Sequence, residues 1–322
     1  MAGHSHDHGR GYGHGHGSGG GHGHHYHIDP EAGDWRVAGA IAVNLVLTVV
    51  QIIGGIVSGS LALIADALHN LSDAVSLVIA FAARKIARRP ADAEMTFGYG
   101  RAEVVAALVN YTSLILIGLY LGYEAIARFF SPEPVAGWIM VWVAGLALVV
   151  DLVTAALTYS MSKDSVNIRA AFLHNLADAL GSVAVIVAGV AVLVFDWAWV
   201  DPVVTLAIAG YILWMSFAQI GGVIRILMLG APPDLDTRAV LDHLRGLDGV
   251  ASVHHVHLWQ MQENAAALDA HVSVAEGRWS EADGIKARIK HALGERFGIG
   301  HVTLEMECAC HSCEGANAIG HG

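Results

Sequence analysis

The sequence predicts an α-helical membrane protein with six transmembrane helices, followed by a small cytoplasmic α+β domain of αββαβ, ferredoxin-like order. Three observations carry this expectation. Of the 322 residues, 54% are hydrophobic and only 15% charged, whereas a soluble domain carries nearer a quarter charged residues. The apolar residues gather into runs of about 20, the length that crosses roughly 30 Å of hydrocarbon. From Pro232 onward the composition turns soluble and shows helix and strand periodicities in turn.

The chain divides into a His/Gly-rich tail (1–34), a membrane domain (35–230), an α+β domain (231–307) and a Cys/His-containing tail (308–322). Residues 1–27 hold nine His and ten Gly without regular apolar positions. Such a segment buries too little surface to offset its ordering entropy and reads as disordered. It is also unlike a secretory signal peptide, which needs a basic patch and a short apolar run.

The spans follow in order. A charge-free run from Val37 to Ala65 is broken by Gly54, Gly55, Ser58 and Gly59, and a second apolar stretch continues to Ala83. Span three covers Val104 to Tyr123, and span four Val135 to Met161 with Asp151 inside it. Span five covers Arg169 to Phe195, and span six Pro202 to Ile224. Arg84, Lys85, Arg88, Arg89 and Arg101 lie between spans two and three, and Lys163 and Arg169 between four and five. Of the loops on the other side, only one holds a basic residue, Arg128. The positive-inside rule therefore places both termini in the cytoplasm, and a bacterial inner membrane is the expected location. In the soluble part, 234–247 and 280–297 read as helices, and 250–261, 265–274 and 301–307 as strands.

The chemistry sits inside the membrane. Leu68-His69-Asn70-Leu71-Ser72-Asp73-Ala74 recurs 105 positions later as Leu173-His174-Asn175-Leu176-Ala177-Asp178-Ala179, with six of seven residues identical. In each copy the His and Asp are four apart and project from one helix face. An ionisable group at mid-bilayer costs on the order of 2.5–3.5 kcal/mol, so the duplicated pattern calls for a compensating partner. Side by side, His69, Asp73, His174 and Asp178 offer two imidazole nitrogens and two carboxylates, a tetrahedral set for Zn²⁺ or a similar divalent ion. The plainer alternative is that each His bonds its neighbouring Asp and glues two helices together. Asp66 reads equally as an accessory ion-path group or as structural. Asp151 reads as a proton or ion relay or as a partnered bundle residue. Asn44, Asn70 and Asn175 read as interhelical hydrogen bonders.

With these motifs the sequence resembles the cation diffusion facilitator family of divalent-metal antiporters. The resemblance rests on HxxxD in spans two and five, on Phe97-Gly98-Tyr99-Gly100-Arg101-Ala102-Glu103 leading into span three, and on Asn167-Ile168-Arg169-Ala170-Ala171 before the second HxxxD. The Asp201-Pro202 opening of span six and the soluble αββαβ domain add to it. The resemblance implies a homodimer in membrane lipid that exports divalent cations from the cytoplasm in exchange for protons, with Zn²⁺ favoured by His69 and Co²⁺, Ni²⁺ or Cd²⁺ as alternatives. It also implies His254, His271, Glu305 and Glu307 as ligands of a cytoplasmic, binuclear metal site. Ordinary strand histidines are the alternative. A further loop site of some relatives contains His, and Ala87 to Thr96 offers only Asp92 and Glu94, so that site is not expected.

By strand alternation His255 and His257 point together and His254 opposite. Cys308, Cys310, His311 and Cys313 crowd soft ligands into the tail, read as a metal-capturing set of reduced thiols or as a plain flexible tail. No disulfide framework is expected from three cysteines so placed. No organic cofactor is expected, and nucleic acid is disfavoured by the charge of −11 (18 Lys and Arg against 29 Asp and Glu). No HExxH occurs, so a zinc-peptidase reading lacks its motif and a transporter rather than an enzyme is expected. A passive metal channel or a metal sensor would use the same ligands.

Overall fold

The computed structural model describes residues 34–159, 166–308 and 315–320; the His/Gly-rich segment and Cys310, His311 and Cys313 lie outside them. Six helices come first: α1 (Asp34–Ser58), α2 (Leu61–Ala87), α3 (Ala102–Phe130), α4 (Gly137–Tyr159), α5 (Val166–Phe195) and α6 (Val200–Leu227). Among the described residues five of them are long and apolar enough to span a membrane, and the described apolar part of α1, Ala42–Ser58, is shorter. Large apolar side chains such as Val46, Phe81, Leu116, Trp142 and Trp214 point outward, as lipid requires of a helix bundle.

Gly54 and Gly55 do not break the first helix as the sequence suggests. They are packing positions: a Cβ at Gly55 would lie 2.5 Å from Ile64 and one at Gly54 2.9 Å from Val143. The break falls at Gly59, whose φ of +69° suits only a residue without a Cβ. Ser60 then caps α2, its hydroxyl accepting from the Leu63 N–H at 3.1 Å. Helices α4 and α5 pack tightly through Gly137 and Gly189, the close backbone approach that small residues permit in membranes.

The soluble part holds α7 (Thr237–Arg245), β1 (Val250–Gln262), β2 (Ala265–Val274), α8 (Ala282–Phe297) and β3 (Ile299–Cys308). The sheet order is β1-β2-β3, with β1 antiparallel and β3 parallel to the central β2. Helix α7 starts at Thr237 because the Asp236 side chain accepts from the Arg238 N–H. Ile285, Ile289 and Leu293, four apart on α8, pack with Val240 and Leu244 of α7 against Leu268 and Val272. That is the two-layer α+β domain the sequence predicts.

The α2–α3 loop meets this domain. Arg101 donates from Nε to the Met261 carbonyl at 3.1 Å, and Phe97 lies edge-on to His301 at 5.7 Å. Within the loop the Asp92 carboxylate accepts from the Tyr99 hydroxyl at 2.7 Å and from the N–H groups of Met95 and Glu94. The Tyr99 bond first, then the two N–H groups, hold Asp92 below the ordinary carboxylate range. Its contribution to loop order is therefore present above about pH 4 and is lost as the pH falls through the lowered value.

Candidate metal site

Helices α2 and α5 each carry one HxxxD, and the structure brings all four side chains together. His69 Nε2 lies 3.4 Å from Asp178 and 3.8 Å from Asp73. His174 Nε2 lies 3.0 Å from Asp73 and 3.4 Å from Asp178. The two rings meet edge-on with centroids 6.0 Å apart. The four groups thus form a closed ring in which every His faces both Asp. Donors sharing one tetrahedral zinc at about 2.1 Å lie roughly 3.4 Å from one another, the scale of these contacts. Interhelical glue needs only one contact per pair; here all four edges close.

The ring is not uniformly enclosed. His69 and Asp178 are 7% and 11% exposed at the side chain, and His174 and Asp73 21% and 25%. The pair one turn nearer the α2–α3 loop is the more open one. Tyr211 of α6, unremarked in the sequence, lies edge-on to His69 at 6.2 Å and closes another side.

Both accessory carboxylates have partners. Asp66, buried one turn before His69, accepts from Gln51 Nε2 at 2.6 Å, and Asn70 donates to Gln51 Oε1 at 3.1 Å. Asn70 is therefore the interhelical hydrogen bonder the sequence suggests, with Gln51 of α1 the partner that sequence reasoning missed. An amide in a long apolar run asks for a bond, but its sequence neighbours do not say with which helix. Asp151 of α4 accepts from Ser182 Oγ of α5 at 3.1 Å. Replacing Gln51 with Leu should leave Asp66 buried without its partner. The expected cost is about 1–3 kcal/mol of stability, read as a lower melting point in detergent.

In the soluble domain His254, His271 and Glu307 converge. His254 Nε2 lies 3.3 Å and His271 Nδ1 2.6 Å from the Glu307 carboxylate, and His271 Nε2 is 3.4 Å from the exposed Glu305. The expected strand alternation fails at this point. A bulge between His254 and His257 puts His255 at φ +49°, so His254 does not point opposite His255. Its ring lies 5.2 Å from that of His254 and 5.0 Å from that of His271. Cys308 is disulfide-bonded, contrary to the expectation of reduced thiols without a disulfide, and in that state it offers no thiolate to a metal.

A helical membrane domain with a ring of His and Asp between its helices, joined to a His-bearing α+β domain, defines a polytopic membrane protein built to handle cations. Residues 37–228 match the cation efflux transmembrane domain and residues 232–309 the cytoplasmic domain of cation efflux proteins; the chain belongs to the cation efflux family. It is 38% identical over 267 residues to the cadmium, cobalt and zinc/H(+)-K(+) antiporter of Bacillus velezensis, which covers 82% of this chain and 85% of the relative. Identity to the metal cation efflux system protein CzcD of Cupriavidus metallidurans is 35% over 282 residues, 88% of each chain. Identity to the zinc transporter ZitB of Escherichia coli is 33% over 294 residues, 89% of this chain and 93% of the relative.

Proposed function

We propose that this protein is a proton-coupled antiporter that exports divalent transition-metal cations, Zn²⁺ first among them, from the cytoplasm across a bacterial inner membrane as a homodimer. The closed ring of His69, Asp73, His174 and Asp178 carries the proposal. Relatives named for zinc, cadmium and cobalt antiport support it. Two imidazoles and two carboxylates suit a borderline ion better than a hard one such as Mg²⁺. Neutral imidazole and ionised carboxylate are the binding forms, so an arriving cation displaces protons and re-protonation on the far side weakens the site. Imidazole, which is both a proton acceptor and a metal ligand, is the side chain suited to such an exchange. Exposure of the Asp73–His174 edge fits access from the side of the α2–α3 loop.

Asp66 and Asp151 act in this reading as braces. Each ties a helix of the ring to a neighbour, α2 to α1 and α5 to α4, about one turn from a ligand. The cytoplasmic cluster of His254, His271, Glu305 and Glu307 serves as a second metal site, and the His-rich N-terminal segment raises local metal concentration by weak multivalent binding.

Zinc uptake into proteoliposomes, with and without an imposed pH gradient, tests the function. Antiport requires uptake to follow the gradient and protons to move the opposite way. Zinc equilibration indifferent to the gradient would indicate a channel, and binding without flux a sensor. Running Zn²⁺, Co²⁺, Ni²⁺ and Cd²⁺ in one preparation ranks the cargo. Deleting residues 1–27 should raise the half-saturating zinc concentration with little change in maximal rate; an unchanged concentration dependence would remove that segment from the account.

A further inference from the structure

We infer that His255 is a ligand of the cytoplasmic metal site, held in place by the C-terminal segment 315–320 acting as a strap; this rests on the reading of that site given above. The argument starts from the backbone. Strand β1 is an edge of the sheet, and its pairing with β2 skips from His254 to His257. The backbone N–H groups of the two residues in between face the edge and are taken up by the tail instead. The His255 N–H donates to the Asn317 carbonyl at 3.0 Å, the Val256 N–H to the Ala318 carbonyl at 3.1 Å, and the Gly320 N–H to the Val256 carbonyl at 3.2 Å. Val256 pairs with Ile319 as a parallel bridge, and Ala318 packs against the domain core. A short strand is thereby added to an edge that would otherwise be open.

That addition has a chemical consequence. Two successive N–H groups aimed at the same neighbour require a bulge, and the bulge places His255 at φ +49°, a conformation a residue with a Cβ adopts only when its surroundings enforce it. Regular alternation would send His255 away from His254. In the bulge the three rings of His254, His255 and His271 instead form a near-equilateral triangle, with centroids 5.2, 5.0 and 5.4 Å apart. One nitrogen of each lies within 4.8 Å of the others. Small rotations about the side-chain bonds close that span to the separation of donors on one tetrahedral ion. Glu307, within reach of both His254 and His271, supplies the fourth donor. Three imidazoles and a carboxylate suit Zn²⁺, Co²⁺ or a similar borderline divalent ion.

The test is a Co²⁺ titration of the full-length protein, read by the visible d–d absorption of tetrahedral cobalt. His69→Ala and Asp178→Ala are present throughout to silence the membrane site, and the N-terminal segment is common to all samples. His255→Asn is the variant of choice, because Asn tolerates positive φ and the bulge survives without the imidazole. It should melt no lower than its parent, bind cobalt about tenfold or more weakly, and shift the absorption bands. Ending the chain at residue 314 should weaken binding to a similar degree, the scale seen when a metal ligand loses its orienting partner, about 10–100-fold. Combining the two should add nothing, since the strap acts through His255. Unchanged cobalt binding in His255→Asn, with loss in His271→Ala, would overturn the inference and leave the cytoplasmic site standing on its other ligands. Unchanged binding in His271→Ala as well would overturn both. A truncated chain that binds as tightly as its parent would overturn the strap.

Discussion

Replacing His69 or Asp178 with alanine is expected to abolish proton-driven zinc flux in liposomes while the protein stays folded. Each residue contributes two of the four edges of the ring, at 3.8 and 3.4 Å for His69 and twice 3.4 Å for Asp178. A three-ligand remainder has lost a donor itself rather than an orienting neighbour. The loss should therefore exceed the roughly 10–100-fold that removing such a neighbour costs a metal site. Folding should survive because alanine is the best helix former and because both helices keep their packing partners elsewhere, Leu121 of α3 and Ala209 of α6 beside α2 and Met140 and Ala144 of α4 beside α5. Flux and a melting curve on the same preparation decide the matter. If either variant moves zinc at the parental rate, the four residues do not form the transport site, whatever their geometry.

The site was legible in the sequence because membranes penalise ionisable groups. Four of them repeated in one pattern stand out against apolar runs, and the period of the helix puts each His and Asp on one face without further information. The same logic found the spans, since length and the absence of charge are enough to mark them. What stayed hidden depends on partners far apart in the chain. Gln51 meets Asp66 and Asn70 across two helices, and nothing local to position 51 says so. The cytoplasmic triangle was hidden for a different reason. Alternation is a property of a regular strand, and a single bulge brings His255 to the side of His254. The bulge is matched by backbone groups of Asn317, Ala318 and Gly320, more than 60 positions later, whose side chains carry no record of it. Glycine was the other misleading signal. Gly54 and Gly55 look like breaks in a helix, yet in a membrane the small residue lets neighbouring helices approach, and only Gly59 needs its freedom of φ.

Asp201→Ala should be the most destabilising single change outside the ring, at about 3–5 kcal/mol. Asp201 opens α6, is fully buried, and reaches across to the start of α2. Its carboxylate accepts from Ser60 Oγ at 2.5 Å, from the Leu61 N–H at 2.9 Å and from the Ala62 N–H at 3.3 Å. These are donors that a helix N-terminus leaves without intrahelical partners, and a negative charge there also meets the positive end of the helix dipole. Arg128 of α3 adds an ion pair to Asp201 at 3.9 Å, donates to the Gly59 carbonyl and binds Glu133 at 3.0 Å. One carboxylate thus ties three helices together at the end of the bundle away from the α2–α3 loop. Removing it leaves two backbone donors and a nearly buried guanidinium short of an acceptor, and that desolvation sets the magnitude. Glu133 stays with Arg128, which places the result toward the lower end of the range. Asp201→Asn separates charge from hydrogen bonding, since the amide keeps one acceptor for Ser60 or Leu61 and loses the attraction to Arg128. It should cost less than alanine, as should Ser60→Ala, which removes the hydroxyl's bond to Asp201 and its cap on the Leu63 N–H, each worth about 0.5–1.5 kcal/mol. Melting temperatures in one detergent rank the three. Equal melting of Asp201→Ala and the parent would mean that the outer ends of α2, α3 and α6 are held by apolar packing alone.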